Sequence, residues 1–183
     1  MTTADPLTPP HRPLRVVDLP RPDHARGELR GVLGRFATGV TVLSAGRDIP
    51  RGMTANSFTS VSLEPPLILV CVVRTAAVHD VILTEEAFAV SVLSGHQQDV
   101  ARYFADRSRP RGPREFETVD TTPGRHTGTP VLADAQAWLE CSLAAVYDGG
   151  DHSIFLGSVL DIGRKETDDP LLYFGGGFHR LSV

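Results

Sequence analysis

Lysine is almost missing from this 183-residue sequence: of 18 basic side chains only Lys165 is one, so a mechanism running through a Schiff base has a single candidate. Cysteine is as scarce. Cys71 and Cys141 each stand inside an apolar stretch, without the close-spaced partners that a disulfide framework, a zinc ligand set or a Cys-x-x-Cys redox pair requires, and they read as buried thiols. No apolar run approaches the roughly 20 residues of a membrane-spanning helix, and the N-terminus lacks the basic-then-apolar order of a secretory signal. A cytoplasmic protein with no membrane partner is expected. Positive charge is not in excess either, since 22 acidic side chains against 18 basic ones leave a formal charge of −4. With a pI near 5.9, there is nothing to grip phosphate backbones, and nucleic acid is not an expected partner.

The common catalytic signatures are absent as well. There is no Walker loop, no Gly-x-Ser-x-Gly elbow, no His-Glu-x-x-His and no Gly-x-Gly-x-x-Gly opening a helix, so any nicotinamide cofactor must bind outside a Rossmann fold. The seven histidines, His11, His24, His79, His96, His126, His152 and His179, are too scattered to make a metal site from sequence-local ligands.

What is present is the composition of an ordinary globular domain, 41% hydrophobic and 22% charged. Residues 1–26 carry Pro6, Pro9, Pro10, Pro13, Pro20 and Pro22 with no apolar period and read as a flexible arm. Residues 27–183 read as one domain. Leu29, Val32, Leu33 and Phe36 share the spacing of one helical face, and Gly39 ends it. Extended segments are expected over 40–45, 52–63, 67–73, 88–93, 137–147, 153–164 and 171–174, with short helices over 78–86 and 97–104. The run over 67–73 is continuous enough for a fully buried strand. Asp148-Gly149-Gly150-Asp151 is a strong hairpin signal, Gly175-Gly176-Gly177 reads as a turn, and 106–129 reads as a long surface excursion of the kind that often has a function. Six or seven strands in hairpins, with too few helices for βαβ crossovers, predict a mainly β, antiparallel barrel or sandwich.

Three stretches carry chemistry. From Met53 to Ser62 both faces of an extended segment bear hydroxyls or amides, Thr54, Asn56, Ser60 and Ser62 on one and Ser57 and Thr59 on the other. Such groups beside a core need partners, either backbone and water or a bound heteroaromatic molecule; a solvated edge strand is the plainer reading. At Cys71-Val72-Val73-Arg74-Thr75 a strand runs into a guanidinium and a hydroxyl ahead of a helix, which is an anion site or simply an exposed loop arginine. Gly150-Asp151-His152 sits at the hairpin, where one histidine is either catalytic or a surface residue.

Read in order, Phe36-Ala37-Thr38-Gly39-Val40-Thr41-Val42, Gly52-Met53-Thr54-Ala55-Asn56-Ser57-Phe58, Ser60-Val61-Ser62, Pro65-Pro66 and Gly150-Asp151-His152 resemble the short-chain flavin reductases, the reductase components of two-component flavin-dependent monooxygenases. The resemblance spans Leu29 to Leu181. It implies a homodimer of FMN-binding split β-barrels with a few flanking helices, a flavin groove near the dimer interface, and hydride supplied by NADH or, less often, NADPH. Carried onto matching positions, Thr54, Ala55, Asn56 and Ser57 with Ser60, Val61 and Ser62 would line the flavin ring and ribityl chain. Arg74, Thr75 and the Cys71 strand end would approach the phosphates. Ser94, Gln97 and Phe104 fall on what resembles the family's flavin-side helix; Asp151 and His152 would seat the nicotinamide, with His152 as the residue acting in catalysis, and Phe178 would stack nearby. The Ser57 hydroxyl or neighbouring backbone N–H groups would steady negative charge on the reduced ring. Ala76 and Ser91 depart from the residues common in the family, which leaves FAD versus FMN open. Reduced flavin would leave to serve a separate flavin-dependent oxygenase. A flavin carrier or sensor without turnover, and an oxidase or reductase of an organic substrate on the same barrel, are the competing readings.

Overall fold

The computed structural model describes residues 26–166 and 169–181, so the proline-rich arm up to residue 25 lies outside the described residues. A first helix, α1 (Arg26–Leu33), precedes β1 (Thr38–Gly39), β2 (Thr41–Ala45), β3 (Arg51–Ala55), β4 (Thr59–Leu63) and β5 (Pro66–Val73). Next come α2 (Ala77–Glu85), β6 (Ala87–Val92), α3 (Gln98–Ala105), and the short strands β7 (Thr121–Pro123) and β8 (Pro130–Leu132). The long strands β9 (Ala137–Gly149) and β10 (His152–Arg164) follow, and β11 (Leu171–Phe174) and β12 (Gly177–Arg180) close the chain. Every named strand pairing is antiparallel. No described helix is long and apolar enough to cross a membrane.

The main sheet has the order β3-β2-β6-β9-β10-β5-β4, with small sheets β1-β11-β12 and β7-β8 beside it. Its two edges are thus consecutive in sequence. The single extended stretch expected over 52–63 is in fact two strands on opposite edges of a split barrel, joined by residues 56–58. Ser57 makes the junction: its hydroxyl donates to the Cys71 carbonyl at 2.9 Å and accepts from the Cys71 N–H at 3.1 Å, replacing a ladder pair with one side chain.

Inside the curled sheet, Leu43, Val70, Val72, Phe88 and Phe155 are buried against Val78 and Ile82 of α2. The strand expected to be buried throughout alternates instead, with Ile68, Val70 and Val72 inside while Leu69 and Cys71 are half-buried on the other face. Cys141 is buried as expected, but Cys71 is not fully so. Gly157 is where Phe88 needs room, since a Cβ there would lie 2.5 Å from the Phe88 ring.

A second core joins α3 to Val40, Val42, Phe116, Leu132 and Leu171 around Phe104. The excursion is therefore not all surface. A 3₁₀ turn at Gly112–Phe116 buries Phe116 and Glu115, and the Glu115 carboxylate accepts from Arg109 at 2.7 Å and from Gly52 N–H on β3 at 2.9 Å. The β7–β8 hairpin follows. By contrast, α1 does not bury the apolar face read from its spacing, because Leu29, Val32, Leu33 and Phe36 are between 42% and 76% exposed.

Candidate functional site

A groove with a volume of about 680 Å³ is walled by Arg30, Leu33, Arg35, Phe36, Asn56 and Tyr173. Three parts of the chain meet there. Gly175 N–H donates to Gly34 O at 2.8 Å, tying the β11–β12 turn to the end of α1, and Arg35 lies 6.0 Å from the Phe174 ring centre. Gly175 and Gly176 take φ values of 59° and 85°, a left-handed turn that brings bare backbone to the groove wall, as the Gly-rich turn expected there requires. Tyr173 is backed by Phe178, with ring centres 5.6 Å apart. Asn56 enters from the β3–β4 link, exposed and with its amide unpartnered among the described residues.

The other groups of the hydroxyl-rich stretch are placed differently. Thr54 donates to Ala101 O on α3 at 2.6 Å, Ala55 is buried with its carbonyl accepting from Thr41, and Ser57 is committed to Cys71. A hydroxyl has one proton. The Ser57 proton goes to Cys71 O, whereas the exposed Asn56 amide has no hydrogen-bond partner among the described residues. Ser60 and Val61 are exposed on β4 and Ser62 is half-buried, with a register shift between Ser60 and Ser62 that makes Val61 the bulged residue.

A second neighbourhood unites two motifs far apart in sequence. His152 opens β10 directly opposite Val73, and Arg74 N–H donates to Asp151 O at 3.1 Å. The Arg74 guanidinium donates to Gly150 O at 3.2 Å and pairs with Asp148 at 3.1 Å, while His152 Nδ1 lies 2.6 Å from Asp151 Oδ1. The Gly150 N–H first, and then Arg74, hold the Asp148 carboxyl below the usual carboxylate range. Arg74, Thr75 and Asp151 are exposed and His152 is half-exposed, so this cluster of one cation, two carboxylates and an imidazole faces solvent. Its members do not line the groove.

Ser94, Gln97 and Phe104 form neither neighbourhood. Gln97 accepts from Ser94 N–H at 3.0 Å and from its hydroxyl at 3.2 Å, which closes the turn ahead of α3, and Phe104 is 1% exposed in the second core. Ser91, one of the departures from the family pattern, is also buried, and its hydroxyl accepts from Leu132 N–H at 3.1 Å, so it holds β8 to the sheet.

Residues 33–182 match the flavin reductase like domain. The chain belongs to that family. It is 50% identical over 157 residues to an NADH-dependent FAD reductase of Streptomyces globisporus, covering 86% of each chain. Among solved structures it is similar to BorF, the flavin reductase component of a bacterial two-component tryptophan halogenase, with 50% identity and a TM-score of 0.83 over 87% of this chain and 99% of that one. It is also similar to the NADH:FAD oxidoreductase SgcE6 of Streptomyces globisporus C-1027 in complex with NAD and FAD fragments, at 48% identity and a TM-score of 0.81 over 86% of this chain and 93% of that one. Within this flavin reductase fold, the residues that sequence reasoning missed are Arg30, Arg35 and Tyr173. Each is a common residue type at a helix end or on a short strand, and no local signal marks it.

Proposed function

We propose that the protein is a flavin reductase that takes hydride from NADH, reduces FAD in preference to FMN, and releases reduced flavin to a separate flavin-dependent oxygenase in the cytoplasm. The observation that carries this reading is the groove at Asn56. Its walls suit a flavin: Phe36 and Tyr173 offer flat apolar surface, the Asn56 amide offers donors and an acceptor, and Arg30 and Arg35 offer charge for phosphate. FAD rather than FMN is favoured by two of the relatives at about half identity, whose names specify FAD.

Flavin, when bound, supplies the hydride acceptor; the chain has no step to perform that needs a nucleophile. Its residues orient and exclude water, and proximity of the two rings supplies most of the acceleration. Asn56 holds the polar edge of the ring, Ser57 sets the position of Asn56 by its grip on Cys71, and His152, oriented by Asp151, seats the nicotinamide. Thr54 to Ser57 are thus a site strand with divided tasks, in which Thr54 and Ser57 fix the backbone and Asn56 meets the ligand. Arg74 and Thr75, outside the groove, serve the phosphates of the nicotinamide cofactor at the hairpin beside His152, where Asp148 restrains the guanidinium, and Arg30 and Arg35 are left for those of the flavin.

The chain acts as a homodimer. Leu29, Val32, Leu33 and Phe36 leave an uncovered apolar face beside the groove, and a second copy that covers it would also close the groove. The test is NADH consumption with free FAD or FMN, repeated with NADPH. Turnover that depends on added flavin supports the proposal, and flavin binding without NADH oxidation would favour a carrier. His152→Ala is expected to raise KM for NADH about tenfold or more with flavin affinity unchanged; unchanged NADH kinetics would remove His152 from the site.

A further inference from the structure

The wall of the barrel opposite these features holds an arrangement that hydride transfer does not use. Glu140 on β9 is 0% exposed and stands directly opposite Asp161 on β10, with Ala89 of β6 on its other side. Directly opposed side chains on antiparallel strands share a face, where like charges repel. Among the described residues neither carboxylate has a lysine or arginine partner. Glu140 Oε1 is fully engaged, accepting from His126 N–H at 2.9 Å, Thr127 N–H at 2.5 Å and the Thr127 hydroxyl at 2.8 Å. Its other oxygen, Oε2, is buried with no partner among the described residues. A buried carboxylate with a spare oxygen beside a second carboxylate calls for positive charge.

The same loop brings the third ligand. One oxygen each from Glu140 and Asp161 and a ring nitrogen of His126 lie within 4.8 Å of one another. Two ligands at about 2.1 Å from one tetrahedral ion stand about 3.4 Å apart, so the group has to draw together by up to about 1.4 Å on binding, and the exposed His126 ring is the member with most room to move. The loop is built to hold that position: Gly124 N–H donates to Thr129 O at 2.8 Å, Gly128 N–H donates to Gly124 O at 3.0 Å, and a Cβ at Gly124 would lie 2.4 Å from Glu140 Oε1. We propose that His126, Glu140 and Asp161 bind a divalent transition-metal cation of the zinc type, which fastens the loop between β7 and β8 to the barrel wall. One imidazole and two carboxylates suit a borderline cation, and the exposed side of His126 leaves room for water as the remaining ligand. Glu140 lies nine positions before the hairpin end at Gly149, about 30 Å along an extended strand, and none of the three residues lines the groove, so the role is structural.

The test uses the untagged full-length chain, stripped with a chelator and titrated with Zn²⁺ by calorimetry and thermal melting. One Zn²⁺ per chain is expected, with the melting temperature raised by about 5 °C or more when zinc exceeds its Kd about 100-fold. His126→Ala and Asp161→Asn should each weaken binding about tenfold or more while the metal-free variants melt close to the wild type. Absence of saturable binding to the wild type, or binding that both variants leave intact, overturns the proposal. None of these readouts involves flavin or NADH, so the reductase assignment stands or falls separately.

Discussion

Replacing Ser57 by alanine removes one oxygen that serves two backbone groups, the carbonyl of Cys71 at 2.9 Å and its N–H at 3.1 Å. Cys71 is opposite Ile154 on β10, and both of its backbone groups face the other way, where the β4 ladder with β5 begins only at Thr59 opposite Leu69. No strand can take over there. Each hydrogen bond is worth about 0.5–1.5 kcal/mol net, and because Cys71 is only half-buried, water recovers part of the deficit left by the lost hydroxyl. Together these give a loss of about 1–3 kcal/mol, or about 3–10 °C in Tm for a chain of this size. Urea unfolding of the flavin-free protein, followed by far-UV circular dichroism, measures it; the midpoint should fall with the slope unchanged. A Ser57→Ala variant as stable as the wild type but unable to bind flavin would refute the reasoning, because the hydroxyl would then serve the ligand and not the junction.

Glu115→Ala strips the clamp between the 3₁₀ turn and the edge strand β3, leaving Gly52 N–H without its acceptor and Arg109 with only the carbonyls of Asp106 and Gly52, and should destabilise by about 3 kcal/mol in the same urea assay. A loss under about 1 kcal/mol would show that the buried pair contributes little. For Asp148, whose carboxyl is held low by Gly150 N–H and then by Arg74, any stabilisation is present above the unfolded carboxylate range and disappears as pH falls through the lower folded value. In an NMR titration Arg74→Ala should move that carboxyl part of the way back up, the Gly150 contribution remaining; no movement would mean that the ion pair is not formed in solution. Burial, with a smaller contribution from the charge of Glu140, pushes the Cys141 thiol up to about 12, so at pH 8 only about one molecule in 10⁴ carries the thiolate. Iodoacetamide should therefore label half-buried Cys71 well before Cys141 in the folded protein, and equal rates would contradict the burial of Cys141.

Much of the fold was legible because its signals are local. The turn at Asp148-Gly149-Gly150-Asp151 predicts the β9–β10 hairpin, and Gly150 takes φ 77° at the first of the two central positions, where a two-residue loop favours glycine. The β2–β3 hairpin and the helices α2 and α3 likewise follow from patterns within a dozen residues. The break at residues 56–58 does not, because a run of hydroxyl residues has no stop signal, and what ends β3 is a side chain reaching β5. The strands β1, β7, β8 and β12 are too short to show a period, and they exist because partners elsewhere in the chain pair with them.

Residue patterns alone predicted a mainly β antiparallel domain, and the resemblance of its motifs to the short-chain flavin reductases implied the ligand. Taken singly, the hydroxyl- and amide-rich segment and the Gly-Asp-His hairpin left a solvated strand and a surface histidine open; flavin and nicotinamide came from the resemblance that the motifs carry in their order, which is legible because each motif is contiguous. Which of those groups is free to meet a ligand was decided only in three dimensions. Thr54 and Ser57 spend their protons on carbonyls 47 and 14 positions away, Asn56 does not, and Arg30, Arg35 and Tyr173 reach it only because the ends of α1 and β11 are tied together. The histidines looked too scattered for a metal site made of sequence-local ligands, and what brings His126 near Glu140 and Asp161 is the β9–β10 register and the loop before β8, not spacing along the chain. Hydrogen bonds between distant segments carry no period that a one-dimensional reading can detect.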